Sequence, residues 1–167
     1  NKVAIITGGS RGIGFETART FVREGATVVL AGSREETARK AVEALKAEDK
    51  RVILVANSIG AYFSMNAGID AMIEKAWFIS PIVDMEKLIT DMMRWANVTE
   101  AELEARGVIH TSFGEDLSWN YLRYARSHPI RWTAPTRILY GSRDNLTPFE
   151  TIRDFAKTHH AALTVME

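Results

Sequence analysis

A short run of mostly β-branched residues, Val3 to Thr7, breaks into glycines at Gly8, Gly9, Gly12 and Gly14, and a helical pattern follows at once. A strand, a tight turn and a helix start in that order present backbone N–H groups to a phosphate. Whatever follows in the chain must either complement this turn or leave it idle.

The pattern beyond the turn alternates helices and strands. A first helix is expected over residues 13–24, with Ala18, Phe21 and Val22 on one face and Gly25 just past its end. Residues 27–31 are a continuous apolar run, as a strand covered on both faces requires. Ser33 and Glu36 have capping-box spacing ahead of a helix over 35–47, supported by Glu35/Arg39 and Glu36/Lys40. Further strands are expected at 52–56, 76–79, 136–140 and 163–166, with a helix over 61–69. Residues 82–131 show no strand signal and read as helices at 85–95, 100–106 (capped by Thr99 with Glu102) and 117–126. Thr147-Pro148-Phe149-Glu150 has the form of a capping box with Pro at the first helical position, opening a helix over 149–158.

This alternation predicts an α/β fold: a three-layer, doubly wound parallel sheet of about six strands, with a helical cap inserted between strands four and five. The 167 residues show no flexible linker, so a single domain is expected over 1–167. Net charge is zero, with 21 basic and 21 acidic residues, which argues against nucleic acid or an anionic membrane as main partner. No cysteine is present, so disulfides, thiolate metal sites and a Cys nucleophile are excluded. No metal site is expected. No apolar run reaches the ~18 residues of a membrane span. Lys2 opens a strand rather than a signal peptide, so a soluble, cytoplasmic protein with no specific partner is expected, a monomer or a self-associated dimer.

Residues 1–48 resemble the N-terminal half of the short-chain dehydrogenase/reductases. The resemblance rests on Thr7-Gly8-Gly9-Ser10-Arg11-Gly12-Ile13-Gly14 with a strand before and a helix after. It implies that Gly8 makes the turn, Gly12 lets the backbone approach a pyrophosphate, and Gly14 lets helix pack on strand. Cofactor contacts would come from Gly8, Ser10, Arg11, Gly12, Ile13, Gly14 and Arg34. Gly32-Ser33-Arg34 stands where many relatives carry an acidic ribose ligand, and with Arg11 it is similar to the NADP-preferring members. Ser33 as a helix cap and Arg34 as a solvated first-turn residue explain the same letters without a ligand. The family's Tyr-x-x-x-Lys is missing: Tyr62 is followed four positions on by Asn66, Tyr121 by Ala125 and Tyr124 by His128. NADP is thus implied by resemblance, and no cofactor is expected to be required.

Residues 52–167 resemble the C-terminal half of an α/β-hydrolase. Ala56-Asn57-Ser58-Ile59-Gly60 looks like the nucleophile elbow, with Ala56 in place of the usual first Gly, which makes Ser58 the candidate nucleophile. Asp144, after a later strand, is the candidate acid. His159 and His160 precede the last strand, and His110 and His128 lie in the cap region, so no histidine stands in the family's place for the base. Without a base Ser58 is a weak nucleophile. Asp84 is an alternative acid or a helix cap, the cap being favoured. Met85, Met92 and Met93 with Trp95 read as packing.

Hydrolase-type connectivity predicts the sheet order 2-1-3-4-5-6; a reductase-type order would be 3-2-1-4-5-6 and would separate Ser58 from the glycine turn. In the first order both open at the switch point between strands one and three. Amides near Gly9 or Ser10, with that of Ile59, would then form an oxyanion hole beside Ser58 or hold a phosphate. The economical account is a chimera of two α/β fragments, engineered or designed, with no complete active site. The rivals are a serine hydrolase and an NADP or phosphate module.

Overall fold

The computed structural model describes residues 3–7, 17, 20–21, 24–31 and 52–167. Two compact units emerge: residues 1–83 with 130–167, and residues 84–129.

The first unit holds β1 (Val3–Thr7), β2 (Thr27–Ala31), β3 (Val52–Asn57), α1 (Ile59–Asn66) and β4 (Ile73–Ile79). The second holds α2 (Met85–Trp95), α3 (Glu100–Arg106), β5 (Val108–His110), β6 (Asp116–Ser118) and α4 (Trp119–Ser127). The chain then returns to the first unit as β7 (Thr136–Gly141), α5 (Phe149–Thr158) and β8 (Ala162–Met166).

Six strands form one parallel sheet in the order β2-β1-β3-β4-β7-β8. This is the hydrolase-type order expected from the sequence, and it excludes the reductase-type alternative. Side chains alternate across the sheet with the two-residue period of a strand. Ile5, Leu54, Phe78 and Ile138 face one side with Ala61 and Met65 of α1 and Ile152 and Phe155 of α5. Ile6 and Val55 face the other, with Phe21, Val28, Trp77 and Ile79. Right-handed crossovers account for this: a connection running from β1 out to β2 lands on the opposite face from one running from β3 to β4. Fully burying a side chain such as Leu54 or Ile138 contributes about 1.5–3 kcal/mol relative to exposure. Phe78 packs on Trp132 at 5.6 Å between ring centroids, and the Trp132 Nε1–H donates to Thr136 Oγ1 at 2.7 Å.

Several boundaries differ from the sequence expectation. β4 starts at Ile73, not at 76, because the sheet buries Ile73 while the charges of Glu74 and Lys75 mask the strand in the sequence. α1 starts at Ile59 and ends at Asn66, because Gly68 at φ 66° turns the chain into a 3₁₀ turn, Asp70–Met72. Asn66-Ala67-Gly68 therefore ends that helix rather than lying inside it. Residues 108–118 contain a two-stranded antiparallel ribbon where only helices were expected, with Ile109 opposite Leu117. Three-residue strands are too short to show a period. Leu117 belongs to β6, so α4 begins at Trp119.

The capping box at Thr147 does not form. Pro148 is the N-cap of α5 without a side-chain bond, and the Thr147 hydroxyl donates to the Pro81 carbonyl at 3.4 Å instead. Thr99 and Glu102 do form theirs, and Asp84 caps α2 by accepting from the Lys87 amide at 2.9 Å. Met85 and Met93 are buried, while Trp95 is 55% exposed against Phe113. The helices expected over 35–47 and, apart from isolated positions, 13–24 lie outside the described residues, as does the Ser33 cap.

Candidate active site

The apolar run of β3 ends at Asn57, and the chain reverses at Ser58 into α1. Ser58 adopts φ 52°, ψ −126°, a region that side-chain-bearing residues rarely occupy. Its backbone is held on every side. The Ser58 N–H donates to the Ile79 carbonyl at 3.0 Å. The Ser58 carbonyl accepts from the N–H groups of Ala61 and Ile82, each at 3.1 Å. Asn57 Nδ2 adds a bond to the same Ile79 carbonyl at 3.2 Å. This is how a strand-to-helix elbow keeps a strained serine at the carboxyl edge of a parallel sheet. Ala56 lies just before it, fully buried and in register with Thr7 on β1 and Phe78 on β4.

Ile59 is the first residue of α1, so its N–H is among those with no acceptor within the helix. Thr7 pairs with Ala56, so the carboxyl ends of β1 and β3 are adjacent. Gly8, Gly9, Ser10, Arg11, Gly12, Ile13, Gly14 and Arg34 themselves lie outside the described residues.

Asp144 follows β7 in a tight loop. Its N–H donates to the Gly141 carbonyl at 3.0 Å. Its Oδ1 accepts from the N–H groups of Leu146 at 2.9 Å and Thr147 at 3.2 Å, an Asx turn that fixes the carboxylate. One strand, β4, separates the elbow from this loop, so two interstrand steps, about 10 Å, lie between their strand ends. Beneath the loop, Tyr140 is buried and donates its hydroxyl to the Thr147 carbonyl at 2.8 Å. Burial first, then the charges of Asp144 and Glu150, push the Tyr140 phenol above its usual range.

The four histidines have these surroundings. His159 ends α5, packs at a tilt against Phe155 and meets the Trp132 carbonyl through Nδ1 at 3.0 Å. His160 is exposed at φ 51°. His110 pairs with Asp116 at 2.7 Å, and His128 stacks on Tyr124. Among the described residues no histidine is hydrogen-bonded to Ser58. Two contributors carried little sequence signal. Ser80 showed only a Ser-Pro pair at a strand end, and Tyr140 showed only an apolar strand position.

A parallel sheet in the order β2-β1-β3-β4-β7-β8, with a strained serine after its third strand and an aspartate after its fifth, is an α/β-hydrolase fold. The mouse alpha/beta hydrolase domain-containing protein 10 superposes with a TM-score of 0.68 at 16% identity, covering 99% of this chain and 78% of its own. The esterase domain of a Rhodothermus marinus protein gives 0.65 at 16% identity, covering 98% and 74%.

The N-terminal sequence matches a different family. The short chain dehydrogenase model matches residues 2–84. A 3alpha-hydroxysteroid dehydrogenase of Mediterraneibacter gnavus is 59% identical over 46 residues, 28% of this chain and 18% of that enzyme. Dehydrogenase/reductase SDR family member 4 of Oryctolagus cuniculus is 28% identical over 122 residues, 65% of this chain and 47% of that protein. The chain thus spans less than half the length of either curated relative. Reductase-like sequence at the N-terminus and a hydrolase-like strand order coexist in one sheet.

Proposed function

We propose that this chain is a composite of two α/β lineages whose reactive element is the serine elbow, and that its chemistry is acyl transfer at Ser58 rather than hydride transfer at the glycine turn. The observation that supports this reading is the backbone of Ser58 at φ 52°, ψ −126°, fastened to Ile79 and Ile82. That backbone, at the turn from a parallel strand into a helix, has the form of a nucleophile elbow. In this reading Ser58 Oγ attacks an ester carbonyl and gives its proton to water, the Ile59 N–H receives the developing oxyanion, and collapse expels the reprotonated alcohol to leave an acyl-Ser58 that water then hydrolyses. Asp144 supplies the acid of the constellation. In the unit that holds Ser58, His159 meets the Trp132 carbonyl and His160 is exposed, so in this reading Ser58 has no imidazole base from that unit and slow turnover is expected. Carbonyl reduction lacks a Tyr-x-x-x-Lys proton donor in this sequence.

A fluorophosphonate probe tests the reading, since it needs a nucleophilic serine but no turnover. Labelling of the chain that vanishes in Ser58→Ala is the expected result, and an inert wild-type chain would refute it. A parallel NADPH titration separates the binding-module alternative: saturable binding lost in Gly12→Asp would favour a cofactor or phosphate role for the glycine turn.

A further inference from the structure

Two of the bonds around Ser58 and Ser80 are continuations of the parallel ladder: Ser58 N–H to the Ile79 carbonyl and Ser80 N–H to the Leu139 carbonyl at 2.8 Å. Four more are not. The Ile82 N–H returns to the Ser58 carbonyl at 3.1 Å, and Asn57 Nδ2 reaches the Ile79 carbonyl. On the other side the Gly141 N–H donates to Ser80 Oγ at 3.3 Å, and Thr147 Oγ1 donates to the Pro81 carbonyl at 3.4 Å. The segment 79–82 therefore grips the nucleophile elbow at both its ends and the Asp144 loop at its middle.

We infer that this Ile79-Ser80-Pro81-Ile82 corner is a positioning bridge that sets Ser58 and Asp144 relative to one another through a single backbone segment. The inference rests on the assignment of nucleophile and acid given above.

The residues suit the task. Ser80 stands at φ 40°, a region that non-glycine residues seldom adopt, so its backbone is held there by its surroundings. That turn takes the chain out of the β4 ladder and leaves the Ser80 hydroxyl facing the Gly141 amide. Pro81 has no N–H to offer a continuing strand, which ends the pairing, while its carbonyl accepts from the buried Thr147. Thr147 in turn donates its N–H to the Asp144 carboxylate and accepts the Tyr140 hydroxyl at its carbonyl. Displacing Ser80 thus moves Gly141 and, through it, the Asp144 N–H that bonds to the Gly141 carbonyl. Ser80 and Thr147 touch no substrate in this scheme; they act through Ser58 and Asp144.

Hydrogen–deuterium exchange on the full chain tests the bridge without requiring catalysis. Ser80→Ala and, as a second variant, Thr147→Val each remove one grip on the acid loop. Each is expected to raise exchange roughly five-fold in the peptide over 141–147 and also in the peptide over 58–61, with residues 84–129 unchanged. Ser80→Asn tolerates positive φ and offers an acceptor oxygen, so it should keep wild-type protection. Fluorophosphonate labelling across pH adds the chemical readout: a slower rate and an altered pH profile in Ser80→Ala, restored in Ser80→Asn. Loosening confined to 141–147, or spread evenly over the chain, would overturn the bridge. A wild-type chain that takes no label refutes the nucleophile assignment alone, and the exchange pattern still decides the coupling.

Discussion

The Ser58 N–H bonds the Ile79 carbonyl at 3.0 Å, extending the β3–β4 ladder one step past the point where β3 ends. The backbone at Ser58 is thereby committed to the sheet on one side and to α1 on the other. Its positive φ is the geometric consequence.

That strain is measurable. Replacing Ser58 by Gly removes the Cβ that makes φ 52° costly, and should raise stability by about 1 kcal/mol in urea denaturation. Ser58→Ala keeps the Cβ and should be near neutral. Both should lose probe labelling, so that stability and reactivity separate at one residue.

Tyr140 links the acid loop to the sheet. Tyr140→Phe leaves the buried Thr147 carbonyl without its donor at 2.8 Å, and should cost about 1 kcal/mol.

The same residue gives a pH signature. Its phenol is raised by burial first and then by the neighbouring carboxylates, so the folded state favours the protonated form. The stabilisation is fully present below the unfolded tyrosine value of about 10 and falls as pH climbs through the higher folded value. A phenolate titration followed by absorbance should show one late tyrosine in the folded protein, absent in Tyr140→Phe.

Phe78 tests the main core. It is fully buried, packed at a tilt against Trp132, and clustered with α1 and α5 residues on one sheet face. Phe78→Ala should cost about 3–5 kcal/mol, enough to unfold a marginal domain at room temperature.

Within residues 84–129, Thr99 caps α3 reciprocally with Glu102, whose carboxyl is held below its usual range by the Thr99 N–H and hydroxyl. Thr99→Ala should lower the stability of that unit by about 1 kcal/mol, read as faster exchange of the α3 amides. Arg126, which meets both Glu86 and Glu100, should by contrast show a salt-dependent effect: Arg126→Met weakens this unit at low salt and matters less at high salt.

Much of this was legible in the sequence because it depends on neighbours along the chain. The apolar runs at 3–7, 27–31 and 136–140 name their strands directly, and Thr99 with Glu102 names its cap. The elbow was legible because Asn57-Ser58-Ile59-Gly60 sits between a strand run and a helix pattern. Ser80 and Thr147 were not, because their partners are 61 and 66 residues away along the chain. Thr147 shows the competition plainly: its spacing to Glu150 fits a cap, yet its hydroxyl bonds the distant Pro81 carbonyl.

By itself the sequence determined the α/β alternation and a serine at a strand end, since each follows from local periodicity and turn chemistry. The sequence favoured one of two strand orders, and the tertiary structure decided between them, setting β1 between β2 and β3 with Thr7 opposite Ala56. That pairing sets the carboxyl end of β1 beside the strand that leads into the Ser58 elbow. The physical reason is that strand order arises from hydrogen bonds and burial between segments far apart in the chain, where the local pattern of any one strand fits several neighbours equally well.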